Sequence, residues 1–125
     1  VSSTSYKNRR ELLWGRNSRC YWCNRQTVLQ YKFGGGACEP LDATLDHLYT
    51  RYSEERVSEM AISQTVLSCY ECNHARGCIS DSYERLEKCL KEKLVPIKIV
   101  ESLVRNLKRF MELTKNHPKD FDRLF

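Results

Sequence analysis

Apolar positions along the chain change their period several times, and each change marks an element. From Ser5 to Trp14, Leu12, Leu13 and Trp14 form the apolar end of a segment whose other face carries Lys7, Arg9 and Arg10. That pattern predicts a short helix with Gly15 as its stop. Thr27 to Phe33 alternates as a strand would, and Gly34-Gly35-Gly36 ends it in a loop. Thr44-Leu45-Asp46 predicts a short strand with Asp46 and His47 at its end, and Arg51 to Met60 is polar enough for a loop or one helical turn. Thr65-Val66-Leu67-Ser68 predicts a second short strand that runs straight into Cys69-Tyr70-Glu71-Cys72, with a helix beginning near Asn73.

Two further helices are marked more strongly. Asp81 with Glu84 forms a capping-box pattern, and Tyr83, Leu86, Leu90 and Leu94 share one face. Val95 before Pro96 ends that helix, and Pro96 suits the first turn of the next. There Val100, Leu103, Val104, Leu107, Phe110 and Met111 repeat at helical spacing, with Lys98, Arg105, Lys108 and Arg109 on the remaining surface. This stripe reads as core or as a dimer surface.

At 125 residues, 41% hydrophobic and 30% charged, the chain fits one globular domain. No segment is long and apolar enough to span a bilayer. The N-terminal two-thirds has few long apolar runs and needs a staple, either disulfides or a metal. Seven cysteines are available. Their odd number, without a secretory pattern at the N-terminus, points to an intracellular, reducing compartment and to metal rather than disulfides. A first residue other than Met leaves flanking domains open. The net charge of +5 favours a polyanionic partner without requiring one.

Cys20-x-x-Cys23 and Cys69-x-x-Cys72 are two hooks that together offer four thiolates, the donor set of a structural zinc. Four protein ligands leave that metal no open position for water, so its role is to hold the fold. The long gap between the hooks carries the chemistry. A carboxylate at Asp46 and a side-chain amide at Asn73 are hard oxygen donors suited to Mg²⁺ or Mn²⁺. The imidazole of His47, beside that acid, can take a proton from water near neutral pH. Such a set with a basic surface suits phosphodiester cleavage.

Thr44-Leu45-Asp46-His47-Leu48-Tyr49-Thr50-Arg51, followed by Val66-Leu67-Ser68-Cys69-x-x-Cys72-Asn73-His74-Ala75-Arg76-Gly77, resembles the HNH (ββα-metal) nuclease motif in its zinc-bearing form. The likeness covers about half the chain, Cys20 to Gly77. It implies a small α+β domain with a ββα-metal core (about 18–78), stapled by a structural zinc, and a C-terminal helical extension (about 80–115). It further implies an endonuclease that hydrolyses DNA phosphodiester bonds and leaves 5′ phosphate and 3′ hydroxyl ends. By the same resemblance, His47 is the general base, Asp46 and Asn73 hold the catalytic Mg²⁺ or Mn²⁺, and Cys20, Cys23, Cys69 and Cys72 hold zinc. The family's middle Asn falls at Gln64, which becomes the candidate brace of the loop, with His74 as further support.

Arg51 and Arg76 flank this site and are the expected DNA contacts, ahead of Arg9, Arg10, Arg16, Arg19, Arg25, Arg105 and Arg109. His117 is expected in solvent. Cys89 is expected to be a free thiol on its helix face, and contact between Cys38 and Cys78 stays open. Two other readings compete: a non-catalytic zinc module that binds nucleic acid, and a protein-interaction module that uses the C-terminal helices. Target structure, DNA against RNA, one-strand against two-strand cutting and homodimerisation are not legible in the residues.

Overall fold

A computed structural model describes residues 6–30, 38–48 and 64–118. Within these the chain is a small α+β unit: helix α1 (Tyr6–Arg16), strands β1 (Ala43–His47) and β2 (Thr65–Cys69), then helices α2 (Tyr70–Lys91) and α3 (Ile97–Leu113). The residues expected to form the glycine loop, and Arg51 to Met60, lie outside the described residues. So does the end of the expected strand from Thr27; its described part makes only an isolated bridge, Val28 with Asp42.

The two strands pair antiparallel, Ala43 opposite Cys69 and His47 opposite Thr65. Tyr21 of the first hook donates its N–H to the Leu67 carbonyl at 2.8 Å, so the hook docks on the free edge of β2. Helix α1 closes the other side through the Tyr6 hydroxyl, which accepts from the Leu45 N–H at 3.1 Å. It runs through Gly15 to Arg16 rather than stopping at the glycine.

Helix α2 starts at Tyr70, earlier than expected, because Cys69 ends β2 and caps the helix: its sulfur accepts from the Cys72 N–H. It then continues through Asp81 for 22 residues, so the Asp81–Glu84 pattern does not start a separate helix. Packing overrides the local signal there. Asn106 of α3 donates to the Ser82 hydroxyl at 3.0 Å and lies 3.4 Å from the Cys78 carbonyl, holding the middle of α2 against α3. The helix ends at Lys91, before the expected Val95, in a Schellman turn. Leu94 N–H reaches the Cys89 carbonyl at 2.9 Å and Lys93 N–H the Leu90 carbonyl at 3.1 Å. Lys93 sits at φ 58°, the left-handed conformation this turn needs.

The core gathers Trp22, Ile79, Leu103 and Phe110 around the four hook cysteines. Trp22 is fully buried and meets Phe110 edge to face at 5.7 Å between ring centres. Leu103 and Phe110 are the only members of the α3 stripe that are buried; Val100, Val104 and Met111 face outward.

Two stability changes follow. Phe110→Ala should cost about 3–5 kcal/mol by opening a cavity beside Trp22. Lys93→Gly should raise stability by up to about 1 kcal/mol by relieving the left-handed residue. Chemical denaturation of the two variants against the parent measures both, and an unchanged or lowered stability in Lys93→Gly would contradict the turn assignment.

Candidate metal centre

The first hook is a tight knuckle. The N–H groups of Trp22 and Cys23 point at the Cys20 sulfur at 3.3 and 3.5 Å, and Asn24 donates back to the Cys20 carbonyl at 2.9 Å. Asn24 takes φ 64°, which an Asn tolerates better than most residues. The second hook is the start of α2, where the Cys72 N–H lies 3.4 Å from the Cys69 sulfur. Backbone donors aimed at sulfur stabilise the thiolate form.

The structure brings the four cysteines together. Their sulfurs all lie within 4.8 Å of one another, and all four residues are buried. A tetrahedral zinc with Zn–S bonds of about 2.3 Å has S···S edges of about 3.8 Å. The Cys23 and Cys69 sulfurs are 3.9 Å apart, and none of the hook cysteines forms a disulfide. The quartet therefore could hold a metal such as zinc with little rearrangement.

Its electrostatics call for a cation. At Cys20 an opposing contact with Cys23 is outweighed by hydrogen bonds from Cys69 and Cys72, and the thiol falls to about 6. Cys23 is driven below the usual thiol range by Cys20, Cys69 and Cys72, with help from Arg25. Cys69 and Cys72 are pushed up, chiefly by Cys20 and Cys23 beside them. Four thiolates at this spacing would repel one another unless positive charge stood among them.

Arg25 provides part of that charge, a role the sequence did not suggest. Its Nε lies 3.1 Å from the Cys23 sulfur and its Nη2 3.6 Å from that of Cys69, while Nη2 also pairs with Glu71 at 2.8 Å. Named only among the arginines that could reach a phosphate, Arg25 ties the two hooks together. Only its position two residues after Cys23 hinted at this.

Beside the quartet stands the second cluster. Asp46 is buried near the end of β1; Trp22 Nε1 donates to its Oδ2 at 2.8 Å, and Arg76 lies 3.1 Å from its Oδ1. Arg76 also donates to the carbonyls of His47 and Leu48, the latter at 2.7 Å, and stacks over the Trp22 ring at 4.6 Å. Its side chain is 4% exposed, and in this structure the guanidinium named as a DNA contact is placed as an internal brace. Arg9 and Arg10, named among the arginines that could reach a phosphate, are both buried, and Arg10 donates to the Gln30 carbonyl at 2.7 Å.

Asn73, in the first turn of α2, reaches back to β1. Its Nδ2 donates to Thr44 Oγ1 at 3.0 Å and to the Leu45 carbonyl at 3.1 Å, leaving the amide oxygen as the acceptor. Gln64 accepts from the Leu48 N–H at 2.6 Å through its backbone carbonyl, next to His47. His47 is half-buried at the end of β1. His74 is exposed, stacks on Tyr70 and lies 3.7 Å from the Cys78 sulfur. His117, expected in solvent, packs 3.4 Å from the Trp22 carbonyl. Arg51 lies outside the described residues.

Zinc should bind one ion per chain, with affinity falling as pH drops because each thiol must lose its proton first. Arg25→Ala should weaken zinc roughly 10–100-fold while leaving the four ligands in place. Competition with a chromophoric chelator at neutral and mildly acidic pH reads both effects. Equal affinity in parent and variant would remove Arg25 from the metal's surroundings.

Compared with known proteins, the chain matches no family model, no curated protein and no solved structure, so the reading of the site rests on its own geometry.

Proposed function

We propose that the chain is a metal-dependent endonuclease that hydrolyses DNA phosphodiester bonds at a ββα-metal centre, with zinc at the cysteine quartet as a structural staple. The observation that carries this reading is the pair of hydrogen bonds from Asn73 to β1. They tie an amide from the start of a helix to the strand whose next two residues are Asp46 and His47. An acid, an imidazole and an amide then share one small region at the junction of β1, β2 and α2.

In this mechanism Asp46 and the Asn73 amide oxygen would hold Mg²⁺ or Mn²⁺, a hard-oxygen pair that fits such ions. When bound, the ion neutralises charge on the phosphate and the departing oxygen. His47 takes the proton from the attacking water, and the brace from Arg76 to the His47 and Leu48 carbonyls limits how far that strand end can drift. Both Asp46 oxygens are engaged in the structure, Oδ2 by Trp22 and Oδ1 by Arg76, so Asp46 would serve such an ion while Trp22 steadies one of its oxygens and Arg76 borders the other.

That last contact favours a second reading. Arg76 already neutralises Asp46 in a buried pair, as it would in a zinc module that binds nucleic acid without cutting it.

Supercoiled plasmid incubated with the protein separates the two. The nuclease nicks it only with Mg²⁺ or Mn²⁺; the binding module retards it uncut. His47→Ala should lower the single-turnover rate by roughly 10²–10⁴-fold with DNA affinity and zinc content unchanged. Asp46→Asn keeps an acceptor for Trp22 and should lose cleavage that raised Mn²⁺ partly restores. Cleavage by His47→Ala at the parental rate would sink the mechanism.

A further inference from the structure

Helix α3 turns one apolar face to α2 and a second to solvent. On the second, Ile97, Val100, Val104, Leu107 and Met111 follow a 3-4-3-4 spacing, the seam pattern of a two-helix coiled coil. Leu107 packs partly against the chain's own core and forms the inner border of the seam, while Ile97, Val100, Val104 and Met111 are 63%, 42%, 44% and 50% exposed. A surface groove lined by Val100, Glu101, Val104, Arg105 and Lys108 runs along the same flank.

We propose that this seam pairs two copies of the chain through antiparallel α3 helices. The charges beside the seam select both the partner and the direction. With Ile97, Val104 and Met111 at the first seam position and Val100 and Leu107 at the second, Glu101 and Lys108 occupy the flanking positions of one side. The opposite flanking positions are Leu103 and Phe110, which are buried in the chain's own core.

A parallel pair would set Glu101 and Lys108 against those committed apolar flanks. An antiparallel pair sets the charged flank of one copy against the same flank of the other. In the register that stacks Val104 on Leu107 of the second copy and Val100 on its Met111, Glu101 faces Lys108, and the symmetry repeats the pair. Sliding one copy by a heptad in either direction opposes Glu101 to Glu101 or Lys108 to Lys108. Only one register therefore combines apolar layers with opposite charges. The seam from Val100 to Met111 is about 16 Å long at 1.5 Å per residue, so association is of the weak, reversible kind.

The inference does not rest on the nuclease reading, and its test uses no DNA. Sedimentation velocity of the zinc-loaded chain over a wide concentration range should show a monomer–dimer equilibrium. Val104→Glu should give a monomer at every concentration, with helical content and zinc unchanged. Glu101→Lys should weaken the dimer by about tenfold, since two attractive pairs become repulsive. Glu101→Lys combined with Lys108→Glu should restore it. A chain that stays monomeric at the highest concentration overturns the proposal. So does a dimer indifferent to Val104→Glu, or one that the double exchange fails to rescue.

Discussion

Closure of four sulfurs around one point is the constraint on which the rest depends. Cys69 shows why, because it belongs to three structures at once. It is the last residue of β2, the N-cap of α2 and a member of the quartet. Fixing its sulfur sets the angle at which the helix leaves the sheet. The knuckle from Cys20 to Cys23 then has one place to sit, against the edge of β2, and this puts Trp22 at the centre of the core. A core with so few large apolar residues has little else to define that arrangement.

Trp22 links the quartet to the acid cluster. Its ring fills space between Phe110 and Arg76, and its indole N–H holds Asp46. Arg76 returns from α2 to the same carboxylate and to the carbonyls just after it. A buried carboxylate with one charged and one neutral donor is compensated, whereas loss of either donor would leave it strained. Geometry at the cysteines and geometry at Asp46 and His47 are thus coupled through one aromatic side chain. A shift of the first hook would be felt at the strand end that carries the imidazole.

Spacing made the quartet, the two short strands and the position of Asp46 and His47 legible before any coordinates. The hooks are local patterns, and the strands are short alternations bounded by polar residues. What spacing could not reveal was which cations turn inward. Arg9, Arg10, Arg25 and Arg76 look alike as sequence, and all read as surface charge. Two are buried in α1, one crosses the sulfurs and one sits under Asp46. Arg10, Arg25 and Arg76 are each defined by a partner more than fifteen residues away or by the quartet itself, information that a local window does not contain. The Asp81–Glu84 pattern misled for a related reason, because the contact of Asn106 with Ser82 comes from the next helix.

The inward arginines change what a net charge of +5 means. Positive charge that is spent on sulfur, on Asp46 or on backbone carbonyls is not offered to a polyanion. The basic residues that remain outside are grouped elsewhere, and α3 carries several of them. Lys98, Arg105, Lys108 and Arg109 are all exposed. In a paired seam only Lys108 is drawn into the interface, while Lys98, Arg105 and Arg109 stand on the outward positions of the helix. Pairing through α3 would thus leave most of its basic charge facing away from the seam, doubled in number by the second copy. Self-association and any contact with a phosphate backbone would then use different faces of one helix and would not compete.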